Sequence, residues 1–232
     1  MKLLVKDIKK NFSDKVVLTG ASYTFKENII YGLLGKNGAG KTTLFNIIYE
    51  EVDQDSGSVQ IEEDGKLRKV RFEDVGMIFA ETILPEFLTA YEYIKFIFDI
   101  KETDKAYTID QYFDLVDIDM EDRHRLIKGY SSGMKSKLAM VAIYIQNPKI
   151  ILLDEPLTAV DVISGQQIKK FIKKLKKDHI IILSTHMMDL AKDIADEIII
   201  LNNGKLRSLE NLEKDENFEE IIIEALKETD HV

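Results

Sequence analysis

Short apolar runs alternate along the chain with segments in which apolar residues recur every three or four positions. The short runs predict buried strands, and they lie at 29–34, 75–79, 150–153, 180–183 and 198–201. The longer spacing predicts amphipathic helices, as at Ile168, Phe171, Ile172 and Leu175. Strands that alternate with helices are typical of a parallel sheet with helices on both faces.

The first third of the chain has a different pattern. Apolar residues at 3–8, 16–18 and 21–25 predict three short strands, the first two joined through 12–14. Beyond a turn at Ser56-Gly57, the strand 59–61 and the Asp64-Gly65 turn predict a hairpin. We therefore expect an antiparallel subdomain before the parallel sheet is complete.

Two capping boxes indicate helices in the middle of the chain. Thr89 with Glu92, and Thr108 with Gln111, have the spacing that satisfies free amides at a helix start. Further helices are predicted at 131–145, after 186, and from Asn217 to Leu226, with Asn217 and Glu220 as its caps. The predicted domain is therefore a single α/β unit, with a core at 1–82 and 127–210, a helical insertion at 83–126 and a C-terminal helix within 211–232.

A glycine-rich stretch carries the first candidate chemistry. Residues 35–43 read GKNGAGKTT, directly after the strand 29–34 and before the helical spacing of Leu44, Ile47 and Ile48. This order fits the phosphate-binding template G-x-x-x-x-G-K-[ST]. The glycines let backbone amides converge, the helix start adds partial positive charge, and Lys41 adds a full one, while the Thr42 hydroxyl can bind Mg²⁺. The alternative is a glycine-rich turn with no ligand.

Two adjacent carboxylates follow the strand 150–153. Asp154 and Glu155 stand at its carboxyl end, where open α/β sheets bind ligands. Beside a phosphate loop, an aspartate can hold Mg²⁺ and a glutamate can activate a water. The alternative is an acidic turn without a catalytic role.

Composition narrows the class of protein. The chain has 232 residues, no cysteine and a formal charge of −9, and 31% of its residues are charged. Disulfides and cysteine metal sites are excluded, and the acidic balance argues against nucleic acid as a partner. The six lysines of 169–177 are expected to form a solvated helix face rather than a binding patch. The start, MKLLVKDIKK, is not expected to be a signal peptide, and no apolar run approaches the ~18 residues of a membrane span.

A further motif gives the chain a resemblance to a known family. In the run Tyr130-Ser131-Ser132-Gly133-Met134, Ser131 follows Lys41 by 90 residues. Asp154 follows Ser131 by 23 residues, and His186 follows Asp154 by 32. In this order and spacing, from about Leu3 to Leu206, the chain resembles the nucleotide-binding subunits of ABC transporters. The resemblance implies a P-loop NTPase core with a mainly parallel sheet, an antiparallel β subdomain and a helical insertion.

The resemblance also implies a role for each matching residue. Phe12 would stack on adenine beside Val17, with a core phenylalanine as the alternative. Glu155 would be the general base, Thr42 and Asp154 would hold Mg²⁺, and His186 would touch the γ-phosphate. Residues 158–161 resemble the D-loop, with Asp161 at its end. The loop that would bind ATP comprises Gly35, Lys36, Asn37, Gly38, Ala39, Gly40, Lys41, Thr42 and Thr43.

The chain departs from the family pattern at two places. Ser132 replaces the first glycine of the signature and Met134 its glutamine, a form similar to the branch that serves smaller exporters. At position 80, where the family has a glutamine that reaches Mg²⁺ and water, this chain has alanine. Glu81 could substitute only if the loop shifts by one residue.

The resemblance implies an ATPase subunit that drives a membrane exporter. ATP on the glycine loop of one subunit would face Ser131, Ser132, Gly133 and Met134 of a second, in a homodimer or a heterodimer. The partner would be a separate membrane-spanning permease that contacts 80–100, and the chain would be cytoplasmic, on the inner face of the membrane. The alternatives are an ABC ATPase for a soluble partner such as an iron–sulfur or translation complex and, less consistent with the signature run, a P-loop GTPase or kinase.

Overall fold

Ten strands form two sheets in the computed structural model, which describes residues 1–13, 15–101, 107–209 and 217–227. The strands of the smaller sheet are β1 (Lys2–Phe12), β2 (Lys15–Lys26), β4 (Ser56–Glu63) and β5 (Lys66–Lys69). The strands of the larger sheet are β3 (Ile29–Leu34), β6 (Val75–Ile78), β7 (Ile150–Asp154), β8 (Ile180–Thr185), β9 (Glu197–Asn202) and β10 (Lys205–Leu209).

The larger sheet has the order β10-β9-β3-β8-β7-β6. Its strands pair in parallel except for β10, which runs antiparallel to β9 at the edge. This confirms the predicted mainly parallel sheet. The two neighbours of β8 are β3 and β7, so the glycine loop and the two carboxylates emerge from the same edge of the sheet.

The smaller sheet is antiparallel, with the order β2-β1-β4-β5. The hairpin at Asp64-Gly65 is confirmed, and both residues have the positive φ that its tight turn requires. The prediction of separate strands at 16–18 and 21–25 is wrong, because β2 is continuous through both. Gly20 has a φ of 133°, and the β1–β2 register shifts nearby, so the chain bulges there without leaving the sheet. Of the predicted connection 12–14, Asp14 lies outside the described residues.

Eight helices complete the described part of the chain. They are α1 (Lys41–Ile48), α2 (Ala90–Ile100), α3 (Ile109–Asp114), α4 (Met120–Arg123), α5 (Ser132–Gln146), α6 (Val162–Leu175), α7 (Met188–Ile194) and α8 (Phe218–Lys227), with 3₁₀ turns at Phe72–Asp74 and Ile127–Gly129. Both predicted capping boxes are present: Thr89 accepts from the Glu92 amide and Thr108 from the Gln111 amide. None of these helices is long and apolar enough to cross a bilayer.

Different elements pack on the two faces of the larger sheet. Along β7 and β8, alternate residues such as Ile151 and Ile181 pack with α5, α6 and α7, whereas Ile150 and Ile180 pack with α1 and the smaller sheet. The prediction of helices on both faces therefore needs correction, since the antiparallel sheet covers much of the second face. Lys169 on α6 forms an ion pair with Asp193, and Lys176, directly after α6, forms one with Asp196.

The helical insertion and the C-terminal helix are placed as follows. The helices α2, α3 and α4 lie within the predicted 83–126; α2 and α3 pack on α5, and α4 contacts α2. The helix α8 begins after Asn217 and packs on β9 and α7 through Phe218 and Ile222. The rest of the predicted C-terminal segment, 211–216 and 228–232, lies outside the described residues. The subdomain boundaries remain predictions.

Candidate functional site

A cleft of about 410 Å³ opens at the carboxyl ends of β3 and β7. It lies against the start of α1 and extends to the β1–β2 hairpin. The residues that line it are Phe12, Lys15, Val17, Asn37, Gly38, Gly40, Lys41, Thr42, Thr43, Ala80, Asp154 and Glu155. The structure thus brings together the predicted adenine contacts, most of the glycine loop and both carboxylates.

The conformation of the glycine loop depends on two residues without side chains. A Cβ on Gly35 would lie 2.7 Å from the carbonyl oxygen of Leu201 in β9, closer than nonbonded atoms approach. Gly40 has a φ of 103°, and a Cβ there would lie 2.8 Å from Val17 Cγ1. The loop therefore lies directly against the backbone of β9 and the side chain of Val17, which fixes its path at the start of α1.

Lys41 is buried at the centre of this loop. Its Nζ donates to the carbonyl oxygen of Gly35 at 2.8 Å and to that of Lys36 at 3.4 Å, and 7% of the residue is exposed. An ammonium group has three donors, so these two contacts leave one for a ligand. Its positive charge is held next to the loop amides, which suits the binding of a polyphosphate.

Thr42 and Asp154, the predicted magnesium ligands, are in direct contact. Thr42 Oγ1 donates to Asp154 Oδ2 at 2.8 Å, although the two residues are 112 positions apart. Asp154 is 3% exposed, and its other oxygen, Oδ1, accepts from the Ser184 hydroxyl. A hydroxyl and a carboxylate within one hydrogen bond of each other are the hard oxygen donors that Mg²⁺ prefers, so the residues fit the ion.

Glu155 and His186 also contact each other directly. Nδ1 of His186 lies 2.9 Å from Glu155 Oε2, and the Glu155 side chain is 17% exposed whereas that of His186 is 56% exposed. The Glu155 amide donates to the carbonyl oxygen and to the hydroxyl of Ser184, both at 3.2 Å. Glu155 lines the cleft and His186 does not, so the imidazole faces the glutamate rather than the interior of the cleft.

Phe12 lies at the far end of the cleft from the carboxylates. It is 46% exposed, so the alternative interpretation of a core phenylalanine is wrong. Lys10 Nζ lies 5.1 Å from the centre of its ring, and Val17 lines the cleft beside it. An exposed ring next to an apolar side chain can stack on a flat base.

A profile of the ABC transporter family matches residues 18–158, more than half of the chain. The chain belongs to this family. As an ABC protein it is an ATP-binding subunit and an ATP hydrolase, and the match excludes the GTPase and kinase alternatives.

Individual relatives agree with this assignment. The uncharacterized ABC transporter ATP-binding protein YhcH of Bacillus subtilis is 31% identical over 94% of this chain and 72% of its own length. The lantibiotic transport ATP-binding protein SrtF of Streptococcus pyogenes is 29% identical over 94% of this chain and 95% of its own. The sulfate/thiosulfate import ATP-binding protein CysA 1 of Chromobacterium violaceum is 30% identical over 90% and 61%.

Solved structures show the same fold. A chain described as the ATP-binding subunit of an ABC transporter aligns with a TM-score of 0.81 and 21% identity over 97% of this chain and 99% of its own. A second, the ATP-binding cassette MJ0796 in a dimeric post-hydrolysis state with ADP and Pi, aligns with a TM-score of 0.76 and 22% identity over 90% and 99%.

The predicted signature lies outside the cleft of its own chain. Ser131 is exposed and caps α5, its hydroxyl accepting from the Met134 amide at 3.2 Å. Ser131, Ser132, Gly133 and Met134 are all absent from the lining of the cleft. Each chain therefore presents its signature on a surface separate from its own glycine loop.

The D-loop residue Asp161 has a clear local role. Its Oδ1 accepts from the amides of Ile163 and Ser164 at 3.0 and 2.9 Å and so caps α6. These hydrogen bonds, first of all the one from Ser164, lower the pKa of the Asp161 carboxyl. The carboxylate that the resemblance places at the D-loop is thus held in place by backbone amides of its own chain.

The structure shows which of Ala80 and Glu81 reaches the cleft at the position where the family has a glutamine. Ala80 lines the cleft with Asp154 and Glu155, whereas Glu81 lines a neighbouring groove with Ser132 and does not line the cleft. The idea that Glu81 substitutes by a one-residue shift is therefore wrong for this conformation. The cleft has a methyl group where an ABC ATPase usually has an amide.

Sequence reasoning missed two residues of the site. Ser184, which holds Asp154 and Glu155, is buried at the end of β8. Lys15 lines the cleft, and its Nζ lies 4.0 Å from where a Cβ of Gly38 would be. The signal for Ser184 is a polar residue ending an apolar strand, whereas Lys15 is one of many surface lysines and carries no motif.

Proposed function

We propose that this ABC protein is the motor subunit of a membrane exporter and works as a dimer with ATP between its subunits. The observation that carries the proposal is the separation of the signature from the cleft. Ser131 is exposed and does not line the cleft that contains the glycine loop of its own chain, so a second chain would supply the signature for each nucleotide. The dimer with ADP and Pi known for MJ0796, which shares this fold, supports this arrangement.

The residues of the cleft would then share the work of hydrolysis. Lys41 and the loop amides hold the phosphates and offset their charge, while Phe12 and Val17 take the base. Thr42 and Asp154 would hold Mg²⁺, which when bound supplies positive charge to the phosphate oxygens. Glu155 accepts a proton from the attacking water, and His186 holds its carboxylate at 2.9 Å.

Residues 80–100 supply the surface for a permease. Ile83 and Phe87 are 82% and 79% exposed, and Phe96 on α2 is 61% exposed. Ile83 and Phe72 also line a groove of about 210 Å³ between β6, α2 and α5. An apolar surface of this kind is unfavourable in water and favours a partner. We assign this surface to a cytoplasmic helix of a membrane-spanning subunit, because the chain belongs to the ABC transporter family.

Export is the proposed direction of transport. SrtF, a lantibiotic transport protein, matches over 95% of its length, and the signature variant resembles that of smaller exporters. CysA 1 is an importer but matches over 61% of its length. The transported compound would be selected by the permease.

The hydrolysis test is Glu155→Gln. This variant should bind ATP with near wild-type affinity and lose most turnover, and it should accumulate as an ATP-bound dimer in size-exclusion chromatography. Lys41→Ala should lose both ATP binding and turnover, and it should stay monomeric. Turnover within about twofold of wild type in Glu155→Gln would remove Glu155 from the role of base.

The partner test is purification from detergent-solubilised membranes. A polytopic membrane protein should co-purify with the wild type, and Phe87→Glu should abolish its recovery. Leu67→Glu is the matched control, because Leu67 is 53% exposed on β5, in the smaller sheet. Recovery of a soluble scaffold in place of a membrane protein would refute the transport proposal.

A further inference from the structure

We infer that Ser132 ties the signature turn (130–134) to the D-loop (158–161) of its own chain, so that the two segments move as one unit. Ser132 would thereby be a positioning residue for ATP hydrolysis. Its effect on catalysis rests on the proposed dimer function, whereas the tie itself is a property of one chain.

The tie begins with a hydrogen bond. The Ser132 hydroxyl donates to the carbonyl oxygen of Ala159 in the D-loop. Ala159 has a φ of 59°, a left-handed conformation that residues with a Cβ adopt at a cost and keep only where neighbours hold them. The residue that replaces the family's glycine therefore holds the D-loop at a strained position.

Close packing reinforces the hydrogen bond. A Cβ on Gly133 would lie 2.8 Å from Ser164 in the first turn of α6 and 3.2 Å from Asp161 Oδ2. The backbone of Gly133 therefore lies directly against the side chain of Ser164, and no side chain fits between them. A shift of the signature turn towards α6 would displace Ser164 and the first turn of that helix.

The helices α5 and α6 are also connected farther along the chain, through Asp117. Lys137 on α5 donates to the Asp117 carbonyl oxygen at 3.3 Å, and Gln167 on α6 donates to Asp117 Oδ2 at 2.8 Å. Asp117 thus accepts from both helices. With two separate points of connection, α5 and α6 are constrained in both translation and rotation relative to each other.

The D-loop is in turn connected to the general base. The Thr158 amide donates to the carbonyl oxygen of Glu155 at 3.1 Å. When the signature closes on a nucleotide held by the partner chain, the tie moves the D-loop and the backbone at Glu155 with it. Occupation of one nucleotide site would in this way adjust the base of the other. The Ser132 hydroxyl is consequently used inside its own chain, and Ser131 with the nearby amides is left to face the opposite triphosphate.

The decisive experiment is hydrogen exchange on the full-length protein without nucleotide. In Ser132→Ala, the amides of Thr158 and Val160 should exchange about two- to tenfold faster, the range expected for loss of one net hydrogen bond. Ser132→Thr, which keeps a hydroxyl, should restore slow exchange. Ser22→Ala is the control, because it removes an exposed serine hydroxyl whose partner is the Asp7 amide in the smaller sheet, away from the D-loop. Wild-type exchange at Thr158 and Val160 in Ser132→Ala would overturn the inference.

Kinetics then separate the tie from the proposed function. Ser132→Ala should lower kcat while leaving the Kd for ATP unchanged, and Ser132→Thr should restore kcat. Equal kcat in wild type and Ser132→Ala, together with faster exchange, would show that the tie does not position the base and would refute the catalytic role. A wild type that neither dimerises nor hydrolyses ATP would refute the proposed function, and the exchange result would still decide whether the tie exists.

Discussion

Replacing Ser184 with alanine should destabilise the protein, because the buried carboxylate of Asp154 loses a hydrogen-bond donor. Ser184 is the penultimate residue of β8 and has no exposed surface, and its hydroxyl donates to Asp154 Oδ1. Alanine fits the space and introduces no new polar group. The change leaves Asp154 Oδ1, buried in a residue that is 3% exposed, without this donor.

The magnitude follows from the nature of this hydrogen bond. A hydrogen bond to a charged group contributes about 1.5–3 kcal/mol, and the cost of leaving a buried acceptor without its partner, about 1–3 kcal/mol, is a second estimate of the same loss. The Glu155 amide adds little, because it keeps the Ser184 carbonyl oxygen at 3.2 Å. We expect a loss of about 2 kcal/mol in the free energy of unfolding, which lowers Tm by about 4–8 °C in a chain of this size.

Urea unfolding of four proteins tests the assignment. These are the wild type, Ser184→Ala, Asp154→Asn and the double variant, whose cycle isolates the coupling between the two side chains. A coupling of about 1 kcal/mol or more is expected. Ser22→Ala is the control, since its hydroxyl accepts from the exposed amide of Asp7 and its loss should cost under about 0.5 kcal/mol. Strictly additive losses in the cycle would refute the reasoning.

Three further changes test other parts of the structure. Lys15→Gln should weaken ATP binding about two- to fivefold at low salt, as expected for an exposed charge, whereas Lys10→Gln should not; equal titration curves would remove Lys15 from the site. Ala80→Gln should raise kcat, because an amide would then line the cleft beside the carboxylates; unchanged or lower turnover would contradict this role. Burial raises the pKa of the Asp74 carboxyl, but hydrogen bonds from Arg68 and the Arg71 amide, together with the charges of Arg68 and Lys149, lower it overall. The Asp74 contribution to stability is therefore present above the ordinary carboxyl pKa of about 3.9 and lost as pH falls through the lowered value, so urea unfolding of Asp74→Asn should show a smaller loss on acidification.

Local patterns were sufficient to predict most elements of the fold. Apolar runs located the strands of the parallel sheet, and the two capping boxes marked the helix starts at Thr89 and Thr108, because each signal lies within a few residues of sequence. The continuity of β2 was not predictable in this way. A glycine between two apolar runs often indicates the end of a strand. Gly20 instead forms a bulge, because β1 pairs with β2 on both sides of it.

Pairings between distant residues could not be predicted from the sequence. The template and the resemblance identified Thr42 and Asp154 separately, but their contact requires the fold, and Ser184 has no signature of its own. The direction in which a hydroxyl group points cannot be predicted from the sequence either. Ser132 belongs to the signature run, and only its side-chain orientation shows that it bonds to Ala159 in the same chain. Motifs identify the residues that take part, whereas burial and orientation determine which partners they have.

The register of the parallel sheet explains why one half of the site is complete within each chain. Leu34 pairs with Thr185, and Asp154 pairs with Ser184, so the glycine loop, the carboxylates and His186 all leave the sheet at one level. A slip of one residue would place Leu183 or Thr185 opposite Asp154 and remove its donor. The isoleucines of β8 are buried alternately on opposite faces of the sheet, and this burial fixes the register of the strand. The register in turn fixes the relative positions of the residues of the site. The signature run lies at the start of α5, outside this register, and does not line the cleft of the same chain. The missing half of the site therefore has to come from another chain, and the interaction of Ser132 with Ala159 carries the effect of that contact back to Glu155.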